Sequence, residues 1–267
     1  MKTGIFQFAP KFGDKNANLI SIEQAVSQMD VNLIVLPELC LSGYQFTSVD
    51  EVRALSDTVP DGEGISRLQE IASDTSTYFV AGFIEKDGEN LYNSAVLAGP
   101  AGIIGTYRKV HLFYEEKEFF CRGDKGFPVF SIPGATIGMM ICFDWLFPEA
   151  ARSLALQGAD IICHPVNLVL PFCQKAMQTR CIENRVFAVT ANRTGSEQRG
   201  GKEELCFTGQ SQIVNPSGEV LFRLSEQGQG AQAVQIDPSK SGNKLITDVN
   251  DVFLDRRTDM YTLDIPE

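Results

Sequence analysis

The sequence predicts an α/β fold with sheets covered by helices, on three observations. Short apolar runs alternate with helix-period segments, Gly and Pro punctuate them, and the second half of the chain repeats the grammar of the first. Residues 3–8 read as a strand, and 16–29 as an amphipathic helix with Leu19, Ile20, Ile22, Ala25, Val26 and Met29 inward. Residues 33–36 form a fully apolar strand, followed by a loop from Leu39 to Tyr44. The next helix, 64–73, buries Ile65, Leu68, Ile71 and Ala72. Three strands follow at 78–84, 92–98 and 103–108, with Asp87-Gly88 and Gly99-Pro100-Ala101-Gly102 as the turns. In the second half a strand at 135–141 leads to a helix over 148–156, stopped at Gly158. A strand at 160–164 precedes a helix over 175–184 and a strand over 186–191. Residues 210–214 and 219–223 form a hairpin around Asn215-Pro216-Ser217-Gly218, and 232–236 is the last strand. No linker or low-complexity segment interrupts residues 1–267, so one domain is expected. Its tail, about 239–267, has a weak core pattern and is expected to pack on a partner subunit.

Apolar content of 43% and charged content of 21% are those of an ordinary globular protein. A formal net charge of −11 argues against nucleic acid or an anionic membrane as partner, because both need a basic face. The start, Thr3-Gly4-Ile5-Phe6-Gln7-Phe8, has no signal-peptide pattern, and no apolar run reaches membrane-spanning length. A cytoplasmic protein is the expectation. The seven cysteines are odd in number and include no CxxC or tight Cys/His knuckle, so reduced thiols and no structural zinc are expected.

Three strands end on reactive groups: Leu33-Ile34-Val35-Leu36-Pro37-Glu38 on a carboxylate, Tyr107-Arg108-Lys109-Val110-His111 on an amine, and Gly138-Met139-Met140-Ile141-Cys142 on a thiol. Residues just past strand ends gather at one edge of an α/β sheet, where such proteins place ligands. Cys142 precedes the helix opened by Phe147-Pro148-Glu149, so it projects from a strand-to-helix turn whose amides favour a thiolate. The Phe143 N–H is then placed to donate to an oxyanion. Cys163 also ends a strand, but its neighbour His164 points to the opposite face, and Cys163 reads as core filler. Glu38, partly buried with a raised pKa, suits a general base; a salt bridge at the sheet edge is the plain alternative. Of the adjacent Arg108 and Lys109, one is expected to be a surface charge, the other to lower the thiol pKa and hold a developing anion. The charged, aromatic stretch Phe113 to Phe120 is expected to turn partly inward. His111, two residues beyond Lys109, should share its face and is the alternative base.

Together these segments resemble the carbon–nitrogen hydrolase (nitrilase) superfamily, in the same order and over nearly the whole chain. The segments Cys142-Phe143-Asp144-Trp145, His164-Pro165-Val166-Asn167-Leu168-Val169 and Glu183-Asn184-Arg185 are similar to a microbial branch of aliphatic amidases and nitrilases. The resemblance implies a four-layer αββα sandwich that forms dimers or larger homo-oligomers, and no metal or organic cofactor. It implies Cys142 as nucleophile, Glu38 as general base, and Lys109 with the Phe143 amide as stabilisers of the tetrahedral intermediate. It adds Glu116, in Tyr114-Glu115-Glu116-Lys117-Glu118-Phe119-Phe120-Cys121-Arg122-Gly123-Asp124, with Glu115 and Glu118 as neighbouring choices. Cys121-Arg122 stands where the family commonly has proline before Gly-Asp. The pocket is expected from Tyr44, Trp145 and Asn167.

The implied activity is hydrolysis of a small aliphatic amide, an ω-amide or carbamoyl amine included, through a cysteine acyl-enzyme. A nitrilase is the close alternative. An inactive binding or scaffold protein on the same fold is the alternative of another class, and a thiol-redox role lacks a resolving cysteine near Cys142 in sequence.

Overall fold

The computed structural model describes residues 1–262. The first half comprises β1 (Lys2–Gln7), α1 (Lys15–Ser27), β2 (Leu33–Val35), α2 (Val49–Leu55), α3 (Glu63–Thr75), β3 (Tyr78–Asp87), β4 (Asn90–Gly99) and β5 (Gly102–Arg108). A short α4 (Glu116–Phe119) leads to β6 (Val129–Ile132), β7 (Ala135–Met139), a 3-10 turn at Cys142–Leu146, α5 (Pro148–Leu156), β8 (Ile161–Pro165), α6 (Cys173–Asn184) and β9 (Phe187–Ala191). The small hairpin β10 (Ser196–Glu197) and β11 (Leu205–Cys206) precedes β12 (Gln212–Val214), β13 (Val220–Arg223) and β14 (Gly230–Gln235).

These strands build two six-stranded sheets, ordered β14-β1-β2-β3-β4-β5 and β13-β12-β9-β8-β7-β6. Each is parallel at its centre, through β1-β2-β3 and β7-β8-β9, and antiparallel toward its edges. The sheets face each other through β1, β2 and β3 against β8 and β9, while α1 and α3 cover the first sheet and α5 and α6 the second. The result is the four-layer αββα sandwich.

Side-chain alternation in β2 shows why both faces must be covered. Leu33 and Val35 join the core between and beyond the sheets, and Ile34 and Leu36 join the core under α1 and α3. In α1, Leu19, Ile22 and Val26 face the sheet, but Ile20, expected inward, is 43% exposed. It lies off the i, i+3, i+7 stripe that the other three define. Helix α5 has the predicted limits and is followed by Gly158 at φ +89°.

The tail is anchored to its own chain in part. Ser241 Oγ donates to Asp160 O at 2.8 Å, Lys244 Nζ donates to Asn184 O and Arg185 O, and Phe253 packs against the core. Beyond it Leu254 and Met260 stay exposed. The last five residues of the expected partner-packing segment, 263–267, lie outside the described residues. Among the described residues, no helix is long and apolar enough to cross a membrane.

Candidate active site

The loop after β2 carries Glu38 to the sheet edge and buries it completely. Its neighbour Leu39 takes a left-handed φ of +49°. Gly82 in β3 lets this loop lie directly on the strand, because a Cβ there would meet Glu38 Cα at 2.5 Å and Leu39 N at 2.5 Å. Glu38 Oε1 accepts from Asn93 Nδ2 at 2.8 Å and Lys109 Nζ at 2.6 Å. Among the described residues its buried Oε2 has no hydrogen-bond partner.

Lys109 follows the end of β5, and its ammonium also donates to Glu116 Oε1 at 2.8 Å. One buried cation thus sits between two buried carboxylates. Burial disfavours the ammonium, but the neighbouring Glu116 and Glu38 outweigh it and hold its pKa above the ordinary lysine value. Glu116 Oε1 also accepts from Tyr44 Oη at 2.8 Å, and Oε2 accepts from the Phe113 amide at 3.2 Å. Burial foremost, with Glu38 adding to it against Lys109, pushes the Glu116 carboxyl upward. Glu115 and Glu118, the neighbouring choices, do not point here: Glu115 pairs with Lys202, and Glu118 is exposed.

Cys142 opens the 3-10 turn after β7 with φ +41°, a strained position for a residue with a Cβ. The strain is held from both sides. Asp144 Oδ2 accepts from Ile141 N at 2.8 Å and from Tyr107 Oη at 2.7 Å, tying the turn to β5 of the other sheet. His164 Nε2 lies 3.0 Å from the Cys142 carbonyl, which can only accept, so this nitrogen carries the proton. Burial lowers the His164 pKa to about 4, leaving a neutral ring. The expected thiolate is not what the environment favours: burial first, then the charge of Glu38, raises the Cys142 thiol well above its ordinary value, with Lys109 acting the other way. The group is a buried thiol among Glu38, Lys109 and Glu116, all near enough to act on its ionisation.

The structure therefore brings Glu38, Lys109, Glu116 and Cys142 into one buried cluster. Asn167, just past β8, donates from Nδ2 to Glu38 O at 2.9 Å and lines a cleft with Cys142, Phe143, Trp145, Phe113, Leu168, Val169 and Leu170. Tyr44 lines the adjoining hollow, which contains Glu116, Phe119 and Leu205. Phe113 and Val169 border both spaces.

Two expectations are corrected. Neither member of the Arg108-Lys109 pair is a surface charge: Arg108 is 3% exposed, binding Glu85 at 2.6 Å, Asp87 at 2.7 Å and Asp124 at 3.1 Å under the Tyr92 ring. His111 does not share the face of Lys109, because β5 ends at Arg108 and strand alternation stops there. Its Nδ1 lies 2.7 Å from Asp144 Oδ1 and its ring stacks on Phe147 at 3.7 Å. Cys163 is core filler as expected, with no exposed surface. The Cys121 amide donates to Leu91 O at 2.8 Å, a bond proline could not make at that position. Gly123 beyond it lies against the Arg108 carbonyl, where a Cβ would come within 2.1 Å.

Asp144, Tyr107, Asn93 and Gly82 received no role from the sequence. Asn93 offered a signal, a polar Asn93-Ser94 pair inside a strand whose later residues are apolar. Asp144 offered another, a carboxylate two residues past the thiol in an apolar run.

A sandwich of this build with a thiol, an amine and two carboxylates buried at its edge defines a cysteine hydrolase class, and comparison with known proteins agrees. Residues 2–243 match the carbon-nitrogen hydrolase family, and the chain belongs to it, as an enzyme of the nitrilase superfamily. It is 47% identical to a nitrilase of Pyrococcus abyssi, covering 98% of this chain and 99% of that one. It is 31% identical to an N-carbamoylputrescine amidase of Solanum lycopersicum over 93% of this chain and 89% of that one. Among solved structures, an amidase from Nesterenkonia sp. superposes with a TM-score of 0.80 at 27% identity, covering 97% of this chain and 94% of that one. A variant of that amidase shows covalent addition of the acetamide moiety of fluoroacetamide at its active-site cysteine.

Proposed function

We propose that this carbon–nitrogen hydrolase is an amidase that cleaves a small uncharged amide through a thioester on Cys142. One observation carries the reading: the buried, unpartnered Glu38 Oε2 belongs to the same cluster as a thiol that its surroundings keep protonated. Glu38 takes the thiol proton as Sγ attacks the amide carbonyl, so no standing thiolate is required. The Lys109 ammonium and the Phe143 N–H donate to the oxyanion. As the carbon–nitrogen bond breaks, Glu38 returns its proton to the leaving nitrogen, releasing ammonia or an amine. Glu38 then deprotonates water, which attacks the thioester and frees the carboxylic acid, the proton returning to sulfur. Glu116, tethered by Tyr44 and Lys109, holds the ammonium in place and bounds the amide site.

Among the described residues, the cleft beside Cys142 presents Phe113, Phe143, Trp145, Val169 and Leu170 and no charged side chain, which supports a short apolar acyl group. Ammonia release from a panel of aliphatic, ω- and carbamoyl amides tests the reading. Activity abolished in Cys142→Ala supports it, and undiminished turnover in that variant sinks it. The likeness to a protein named nitrilase favours a second reading, in which a nitrile enters as a thioimidate on the same sulfur. Acid formation from aliphatic nitriles as fast as from the matching amides would select it.

The chain is read as one cytoplasmic catalytic domain whose copies associate. Leu156 and Ile182 on α5 and α6, with Leu254 and Met260 of the tail, are exposed apolar groups that a second copy would cover. Light scattering that returns a monomer mass at micromolar concentration would refute this.

A further inference from the structure

The excursion between β9 and β12 carries the small β10–β11 hairpin, and its polar contacts converge on the loop that presents Tyr44. Glu197 Oε2 accepts from the Tyr44 amide at 3.0 Å and the Gln45 amide at 2.7 Å. Glu197 Oε1 accepts from Arg193 Nη1 at 2.7 Å, and this arginine is 1% exposed. The Arg193 guanidinium lies 4.0 Å from the centre of the Phe207 ring, whose edge meets the Tyr44 ring at 6.0 Å. Arg199 donates to Gln45 O at 3.0 Å and forks onto Glu51 at 2.9 and 2.6 Å, with its guanidinium 3.4 Å from the Phe12 ring centre. Lys202 reaches Glu115 at 2.7 Å and Phe46 O at 2.8 Å. Tyr44, held in this way, gives its hydroxyl to Glu116 Oε1, the oxygen that also receives Lys109.

We infer that the hairpin is a clamp and Glu197 its positioning residue, fixing the Tyr44 phenol on Glu116 and so setting where the Lys109 ammonium stands relative to Cys142. The burial of the pair argues for this. A carboxylate and a guanidinium out of water are costly, the more so here because Arg193 Nε is buried without a hydrogen-bond partner, and a loop needing only stability could be packed with apolar groups instead. Glu197 spends one oxygen on the two amides that set the direction of Tyr44, and the other on the cation that aims it. Displacing a tethered group by about 1 Å can cost on the order of 100-fold in rate. The inference rests on the amidase reading, because the clamp acts on that site.

A double-mutant cycle between Glu197→Ala and Tyr44→Phe tests it. Two readouts are taken: kcat and KM on an amide the unmodified protein turns over, and the rate at which fluoroacetamide modifies Cys142, followed by intact mass. If Glu197 acts through Tyr44, Glu197→Ala lowers kcat about tenfold or more in the native background and less than about twofold in the Tyr44→Phe background. Additive losses, or a change confined to KM, overturn the inference. Arg199→Met provides a second variant if Glu197→Ala fails to fold, since Arg199 sits at the half-exposed rim. It should reduce kcat by about threefold or more, again only while the Tyr44 hydroxyl is present, and an unchanged kcat in a folded Arg199→Met protein also overturns the clamp. If the unmodified protein hydrolyses no amide, the amidase reading fails, and the alkylation cycle alone then decides the clamp.

Discussion

Replacing Glu38 by Gln separates the two jobs this side chain does. The amide keeps an oxygen to accept from Asn93 and Lys109, but the proposed base at Oε2 is gone. The ordinary thiol pKa is 9.0, and burial raises that of Cys142 well above it. Cys142 is then a protonated thiol at neutral pH, so attack depends on proton transfer during the step. Loss of a positioned general base costs about 10²- to 10⁴-fold, or about 3–5 kcal/mol in the barrier. A second effect runs the other way: the charge of Glu38 also raises the thiol pKa, so its removal eases ionisation. Amide acylation and simple alkylation should therefore diverge. Single-turnover acylation of Glu38→Gln falls by about 10²-fold or more. Its modification by iodoacetamide, which needs only the thiolate, instead climbs about tenfold per pH unit between pH 6 and 8. Acylation within about threefold of the native protein, with an unchanged pH profile, would refute Glu38 as the base.

Three other outcomes follow from the geometry. The unfolded chain protonates His164 near 6.5 but the native state only near 4, so stability falls as pH drops through that window, by about 3 kcal/mol for the 2.5-unit gap; urea melts at pH 7 and 4.5 should show a smaller loss in His164→Gln, and equal losses would contradict the assignment. Gly82→Ala forces the Glu38 loop off β3, with overpacking of about 1–3 kcal/mol in thermal melts and a fall of about 100-fold in kcat; near-native kcat would show that the loop position is unimportant. Tyr107→Phe deprives buried Asp144 of its 2.7 Å bond and should cost about 1–3 kcal/mol in denaturant titrations, together with slower acylation at Cys142. An unchanged acylation rate would separate the Asp144 network from the reactive turn.

The strands were legible because their apolar runs end abruptly on single reactive groups, and a residue just past a strand end has few places to point. That logic placed Glu38, Lys109 and Cys142 together, as the structure does, and the order of the segments added Glu116 through family resemblance. It failed where neighbours in space are remote in sequence. Arg108 looked solvated because its partners Glu85, Asp87 and Asp124 come from β3 and a later loop. His111 lies away from the face of Lys109 because strand periodicity ends at Arg108, and the ring turns to Asp144 instead. Arg193, Glu197 and the short β10–β11 hairpin gave no periodic signal at all, since two-residue strands are held by side chains from elsewhere. The thiol pKa was misjudged for a related reason: the turn amides are local and visible in sequence, whereas the burial that outweighs them is set by the whole sandwich.

The first sheet ends on β14, residues 230–235 from late in the chain, which pairs antiparallel with β1 and makes it an interior strand. On the ribosome, Glu38 and Lys109 emerge long before Cys142, and the edge beside β1 waits until nearly all of the protein has been made. A chain that stops short of residue 230 leaves β1 with an unpaired edge.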